Sequence, residues 1–105
     1  LGQGNFAAMG ADIPDMIRHF DERINFVHFR DVERNNRNFI EKWHDDGPTD
    51  MHACIEAYRD IGFEGPVRVD HVPTMATEEN SNPGYMTLGR LYATGYLKGL
   101  LEATD

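Results

Sequence analysis

Apolar residues recur along the chain with two spacings, one typical of helices and the other of buried strands. The first helical face has members at i, i+3, i+4 and i+7: Ile13, Met16, Ile17 and Phe20. Asp12 is a suitable N-cap before this face, and Pro14 and Asp15 suit a first turn. The apolar run INFVHF at 24–29 then predicts a strand of a parallel sheet that is buried on both faces.

Polar segments separate this strand from the next helix. RDVERNNRN at 30–38 predicts a loop, whereas FIEKWH at 39–44 fits either a short strand or a helical turn. HDDGPTD at 44–50 has the composition of a turn, and either Thr49 or Asp50 would cap the helix that follows.

A second helix is predicted at about 50–61, and Gly62 would end it in a left-handed conformation. VRVDH at 67–71 predicts a second strand, which leads into a long loop that carries Glu78 and Glu79. The helix predicted at about 50–61 has one apolar face, formed by Met51, Cys54, Ile55 and Tyr58.

The last predicted helix runs from about 84 to 103 and is opened by Asn82 and Pro83. Its apolar positions include Leu88, Leu91, Tyr92 and Leu101. A glycine in a helix interior costs about 1 kcal/mol relative to alanine. We expect close packing against a sheet to offset this cost at three positions: Gly89, Gly95 and Gly99.

The order helix, strand, helix, strand, helix predicts an α/β fold with parallel strands and right-handed crossovers. Two strands cannot cover both faces of a sheet and protect both of its edges. The chain begins LGQGNF without an initiator Met, so we expect residues 1–105 to be one segment of a larger domain.

The formal net charge of −8 argues against nucleic-acid partners and against anionic membrane surfaces, because no basic patch is available to neutralise phosphates. Cys54 is the one cysteine, so the chain cannot form an internal disulfide and a cytoplasmic location is expected. No run approaches the roughly 18 apolar residues of a membrane span. Cys54 lies on an apolar helix face, where an inert core thiol is expected.

Candidate metal ligands follow both predicted strands. The first strand ends with His28, Arg30 and Asp31, and the second ends with Asp70 and His71. Functional groups of parallel α/β folds gather at the carboxyl ends of the strands, so these side chains are expected at one rim. Imidazole and carboxylate groups suit Mn²⁺, Fe²⁺ or Zn²⁺, which can stabilise charge that develops on a substrate carboxylate.

Each candidate also has a structural interpretation. His28 fits a hydrogen-bonded structural histidine, Asp70 fits a cap or a partner of Arg68, and Arg30 fits a surface ion pair. Tyr85 could pack in the interior or face the rim.

The other histidines give weaker signals. His44 borders the DDG turn and fits either a structural or a functional role. His19 and His52 are interpreted as surface or packing residues of helices.

Four segments together resemble the C-terminal portion of mannonate dehydratases: INFVHFRDV, WHDDGPTDM, DIGFEGPVRVDHVPTM and NPGYMTLGRLYATGYLKGLLEA. The resemblance extends from about Gly4 to Thr104. It implies that residues 1–105 form a C-terminal segment of a (β/α)₈ TIM barrel, with about two parallel strands and their flanking helices. It also implies dehydration of D-mannonate to 2-keto-3-deoxy-D-gluconate in hexuronate (glucuronate) catabolism.

The resemblance further implies a divalent metal, Mn²⁺ or Fe²⁺, held by two His, a Cys and an Asp. His28 matches one histidine ligand and Asp70 matches the aspartate. The other histidine would fall before Leu1, and the cysteine would fall at about Gly2. A set of two ligands is expected to hold a metal weakly.

Proton transfer in the family would fall to Tyr85, which matches the proposed catalytic tyrosine, and to His71 beside the metal. Arg30 would bind the substrate and help to stabilise negative charge. Which of Tyr85 and His71 acts as acid and which as base stays open.

The resulting hypothesis is a metal-dependent sugar-acid dehydratase whose isolated 105-residue segment is inactive. Its expected partners are the small sugar acid D-mannonate and further copies of itself in a homo-oligomer. The alternative is a truncated, non-catalytic barrel segment that self-associates to cover its open sheet edges. A different metal-dependent sugar isomerase would share the strand-end His and Asp but would not explain GPTDM together with RVDHVPT and GRLYATGY.

Overall fold

The three helices and two strands that the apolar spacing predicts are present, and the structure adds a helix at Gln3–Ala8 and two strands at Asp31–Asn35 and Asn38–Lys42. The computed structural model describes residues 1–75 and 77–104, and within them it has two small sheets. In chain order the elements are α1 (Gln3–Ala8), α2 (Ile13–Phe20), a 3₁₀ turn (Asp21–Arg23), β1 (Val27–Phe29), β2 (Asp31–Asn35), β3 (Asn38–Lys42), α3 (Met51–Asp60), β4 (Val67–Val69) and α4 (Thr87–Ala103).

The predicted parallel pair of strands is confirmed. β1 pairs with β4 in parallel, with His28 opposite Arg68, and α3 lies in the connection between them. On the other side of β1, Gly2 forms a parallel bridge with His28, whose N–H donates to the Leu1 carbonyl at 2.9 Å. Three parallel chain segments therefore lie side by side. A helix comes later in the chain after each of them: α1 after Gly2, α3 after β1 and the β2–β3 hairpin, and α4 after β4.

The first strand is shorter than predicted, and only one of its faces is buried. Val27 and Phe29 are fully buried, whereas the His28 side chain between them is 41% exposed and Phe26 is 39% exposed. The buried face packs against the helices. The other face is open in this segment, so the strand alternates although its sequence is almost entirely apolar.

The prediction of a loop at 30–38 is wrong, because these residues form most of an antiparallel hairpin. β2 and β3 pair from Asp31 opposite Lys42 to Asn35 opposite Asn38. Asn36 takes the left-handed conformation in the turn, with φ +57°. The charged side chains that suggested a loop lie mainly on exposed parts of the hairpin, and the ambiguous segment at 39–44 is a strand as far as Lys42.

The two middle helices are confirmed together with their caps. Asp12 accepts a hydrogen bond from the Asp15 N–H at 3.0 Å, and Asp50 accepts one from the Ala53 N–H at 2.9 Å. Gly62 follows α3 with φ +70°, the left-handed stop that the sequence predicts.

The last helix differs from its prediction in two respects. It begins at Thr87, because 82–85 forms a turn in which the Tyr85 N–H donates to the Asn82 carbonyl at 3.0 Å. Its buried residues are Gly89, Ala93 and Leu97. Other elements cover α4 on one side only. The apolar positions singled out from the sequence are therefore exposed: Leu88, Leu91, Tyr92 and Leu101.

Close packing explains one of the three helix glycines. A Cβ at Gly89 would lie 2.6 Å from the Pro73 carbonyl oxygen, so the helix approaches the chain closely there. A Cβ added at Gly95 or Gly99 would meet no heavy atom within 4 Å among the described residues. The prediction of close packing at these two glycines is therefore wrong.

The hydrophobic core lies between the sheet and α2, α3 and α4. Cys54 is fully buried in it, and burial raises the pKa of its thiol to about 12, as expected of an inert core cysteine. None of the helices in the described ranges is long and apolar enough to cross a membrane.

Candidate active site

The carboxyl ends of β1 and β4 bring His28 and Asp70 together. The His28 Nδ1 lies 3.5 Å from the Asp70 Oδ2, and the Asp70 side chain is 15% exposed. The Asp70 N–H donates to the Phe29 carbonyl at 3.3 Å, which extends the strand ladder and fixes the position of the carboxylate. The other Asp70 oxygen, Oδ1, lies 3.7 Å from the His71 Nε2. Asp70 thus faces two imidazoles, and no ion pair joins it to Arg68 within the described chain.

His71 and Tyr85 form a second pair beside the first. The Tyr85 hydroxyl and the His71 Nε2 share a hydrogen bond of 2.7 Å, and the rings meet edge to face at 4.5 Å between centroids. The loop is held here by a further bond from the Val72 N–H to the Gly84 carbonyl at 3.2 Å. Gly84 has φ +84°, and a Cβ there would lie 2.8 Å from the His71 Nδ1. A glycine at this position therefore allows the two rings to meet.

Arg30 is held by Glu41, an acid that no sequence motif marks as its partner. Its Nε and Nη2 donate to the two carboxylate oxygens of Glu41, each at 2.8 Å. The Arg30 side chain is 11% exposed, so its ion pair is largely buried and the interpretation as a surface ion pair is wrong. Hydrogen bonding to Glu41 raises the pKa of Arg30, and the charge of Asp70 acts in the same direction. A Cβ at Gly4 would overlap the Arg30 side chain, so α1 contributes to this arrangement.

Asp31 does not share the rim with these residues. Its side chain is fully buried and accepts hydrogen bonds from the Thr49 N–H at 2.9 Å, the Thr49 hydroxyl at 2.6 Å and the Val32 N–H at 3.0 Å. A Cβ at Gly47 would overlap the Asp31 carboxylate. The expectation that Asp31 lies with the metal-type ligands is therefore wrong, and its role is to hold the segment between β3 and α3.

His44 is a structural support of the same rim. Its Nε2–H donates to the Phe29 carbonyl at 2.7 Å, and its ring stacks on the Phe29 ring at 5.0 Å between centroids. Burial lowers the pKa of His44, which favours the neutral imidazole. His19 and His52 are exposed on helices, which agrees with the surface interpretation of the two, and His52 pairs with Glu56 one turn along.

The donor types of the first pair fit a divalent metal, although the pair is only part of a ligand set. An imidazole nitrogen and a carboxylate oxygen suit Mn²⁺ and Fe²⁺. Within the residues described, no group of three or more His, Cys, Asp or Glu side chains is arranged to hold a metal. Gly2 lies beside His28 on the neighbouring parallel segment, where the heavy atom nearest to a Cβ would be the Asn5 Nδ2, at 3.4 Å. The position next to the pair therefore accepts a Cβ in ordinary van der Waals contact.

Comparison with known proteins shows the family of the chain. A family model of D-mannonate dehydratase (UxuA) matches residues 1–105. Mannonate dehydratase 2 of Halalkalibacterium halodurans is 43% identical over 99 residues, which cover 90% of this chain and 28% of that protein. The mannonate dehydratase of Brachyspira hyodysenteriae is 43% identical over 97 residues, which cover 90% of this chain and 27% of that protein.

A solved structure supports the same relationship. The crystal structure of mannonate dehydratase from Streptococcus suis serotype 2 matches 98% of this chain and 31% of its own with a TM-score of 0.89, at 30% sequence identity. The chain spans about 28% of the length of the curated relatives that it matches. Because the family model and these relatives match the chain along nearly its whole length, the chain belongs to the mannonate dehydratase family of lyases.

Proposed function

We propose that the chain is a C-terminal segment of a (β/α)₈ barrel and supplies part of the active site of a cytoplasmic D-mannonate dehydratase. The product would be 2-keto-3-deoxy-D-gluconate, formed in hexuronate catabolism. The observation that carries the proposal is the meeting of two pairs at the strand ends, His28 with Asp70 and His71 with Tyr85. Side-by-side parallel segments, each followed by a helix, are what a barrel segment requires.

His28 and Asp70 would hold the divalent metal, Mn²⁺ or Fe²⁺. When bound, such a cation acts as a Lewis acid and stabilises negative charge on the oxygens of the substrate. Further ligands would come from the rest of the longer protein. The partly buried Asp70 fits this role because its backbone is already fixed by the Phe29 carbonyl.

His71 and Tyr85 would move the protons. Dehydration removes the proton α to the carboxylate and protonates the departing 3-hydroxyl, so the reaction needs a base and an acid. The hydroxyl of Tyr85 and the Nε2 of His71 are 2.7 Å apart, so a proton can pass between them. Arg30 would stabilise negative charge on the substrate carboxylate, with Glu41 fixing the plane of its guanidinium.

The test is an assay of D-mannonate dehydration in the presence of Mn²⁺, performed on the longer protein to which the proposal assigns this chain. Turnover is expected to be lost with Asp70→Ala and His28→Ala. Tyr85→Phe is expected to lower kcat by about 10²–10⁴-fold, the usual contribution of general acid–base catalysis. His52→Ala, at an exposed helix position, serves as the control and should be unaffected. Normal turnover by Tyr85→Phe would remove that residue from the proton transfer.

The second candidate is a non-catalytic segment that self-associates into a homo-oligomer. The exposed side chains of Leu88, Leu91 and Tyr92 on α4 favour it, because such an apolar face is unusual on a monomer. Sedimentation velocity over a range of concentrations tests this candidate. Self-association that Leu91→Glu abolishes, together with a folded chain that binds no Mn²⁺, would support it over the dehydratase.

A further inference from the structure

Glu78 ties the loop after β4 to the first turn of α4. Its Oε2 accepts a hydrogen bond from the Leu88 N–H at 2.9 Å, and its Oε1 accepts from the Gly89 N–H at 3.3 Å. Oε1 also accepts from the Met75 N–H at 3.0 Å, within the loop itself. The N-cap residue, Met86, offers no carboxylate or hydroxyl to the free N–H groups at the start of the helix. Glu78 satisfies two of them from a distance in the sequence.

The same turn of α4 contacts the residue that presents its hydroxyl to His71. The guanidinium of Arg90 lies over the Tyr85 ring, 5.8 Å from the centroid. Gly89 packs directly on the Pro73 carbonyl at the base of the loop. Displacement of this turn relative to the loop would therefore be transmitted to Tyr85.

We propose that Glu78 is a positioning residue, which holds the loop against α4 so that the Tyr85 hydroxyl stays within hydrogen-bond distance of the His71 Nε2. The proposal rests on the proposed function only for the assignment of proton transfer to this pair. Glu79 is an exposed acid next to Glu78 and provides a matched control.

The experiment compares the histidine ring signals of the isotope-labelled chain by NMR. The variants are Glu78→Ala, Glu78→Gln, Glu79→Ala and Tyr85→Phe. With Glu78→Ala, the His71 signals are expected to move most of the way to their positions in Tyr85→Phe. The signals of His19 and His52 should not move. Glu78→Gln retains one acceptor oxygen, so a smaller displacement in the same direction is expected.

Hydrogen exchange shows whether the tether has been released. Loss of a charge-assisted bond should speed exchange of the Leu88 and Gly89 amides by roughly tenfold. Unchanged His71 signals in Glu78→Ala, despite faster exchange at these amides, would overturn the proposal. If Glu78→Ala does not fold, the same comparison is made with Glu78→Gln.

Turnover separates this proposal from the proposed function. Displaced His71 signals in this chain, together with no dehydration of D-mannonate by the longer protein of the proposed function, would support the positioning role and count against the dehydratase assignment. Unchanged signals in an active protein would overturn the positioning role alone.

Discussion

The buried carboxylate of Asp31 shows how a single residue can be misjudged from its place in the sequence. It follows a strand, as a metal ligand would, but three donors from Val32 and Thr49 surround it. The signal for this structural role lies eighteen residues away, in Thr49 and the adjacent Gly47–Pro48 turn. A short sequence motif does not reveal which donors the fold will bring to a carboxylate.

Asp31→Ala is expected to lower the free energy of unfolding by about 3 kcal/mol, because it leaves buried donors without an acceptor. Asp46→Ala is the control, since the Asp46 side chain is 73% exposed and its ion pair with Lys42 has a distance of 3.7 Å. A change within about 0.5 kcal/mol is expected there. Urea unfolding measures both values, and equal losses would contradict the structural role of Asp31.

His44 makes the stability of the protein depend on pH. Burial lowers the pKa of His44 in the folded state. In the unfolded chain the pKa of this imidazole is about 6.5. Between these two pKa values the unfolded state binds more protons. The free energy of unfolding should therefore fall as the pH drops below about 6.5, by at most about 1.4 kcal/mol per pH unit from this group.

The measurement compares wild type with His44→Gln, which can still donate to the Phe29 carbonyl but does not titrate. Urea unfolding between about pH 5 and 8 should show a weaker loss of stability at low pH in the variant. The other titrating groups are common to both proteins. Parallel pH profiles would show that His44 is not the source of the dependence.

At the level of elements, local patterns predicted the helices better than the hairpin. Asp12 and Asp50 cap α2 and α3 as expected, because capping depends on residues that are adjacent in sequence. The β2–β3 hairpin escaped prediction because most of its residues are polar and exposed. Asn36 in the turn was the one local signal, since asparagine tolerates the left-handed conformation.

The turn before α4 provides a test at the same scale. Gly84→Ala should destabilise the protein by about 1–2 kcal/mol, because the left-handed conformation penalises a Cβ, and the contact with His71 adds to this cost. Gly95→Ala is the control, since its Cβ would be unhindered within the described chain. It should stabilise α4 by up to about 1 kcal/mol. Thermal unfolding compares the two, and stabilisation by Gly84→Ala would contradict the proposed turn.

The two faces of α4 should respond differently to truncation. Leu97→Ala is expected to cost about 2–5 kcal/mol, because Leu97 is 6% exposed in the core. Leu91→Ala should cost less than about 0.5 kcal/mol in the monomer, because Leu91 is 63% exposed. Unfolding at a concentration where the chain is monomeric checks both values. A large loss from Leu91→Ala would mean that the helix turns Leu91 toward the core.

For the whole molecule, the parallel pair and the adjacency of His28 and Asp70 were predictable, because parallel strands place their carboxyl ends on one side. The partner of Arg30 and the exposed face of α4 were not. The salt bridge to Glu41 depends on the hairpin, which the sequence pattern did not reveal. The exposed face depends on which sides of the helix other elements cover, and helical periodicity alone does not give that.

The measurement that tests the central claim most directly is Mn²⁺ binding by this chain, followed by electron paramagnetic resonance at millimolar metal. We expect weak binding, reduced by roughly tenfold or more in His28→Ala and in Asp70→Ala. His52→Ala should bind as wild type does, and Gly2→Cys should bind more tightly because it adds a thiolate beside His28. Equal behaviour of wild type, His28→Ala and Asp70→Ala, whether all three bind or none does, would contradict the assignment of this pair as metal ligands.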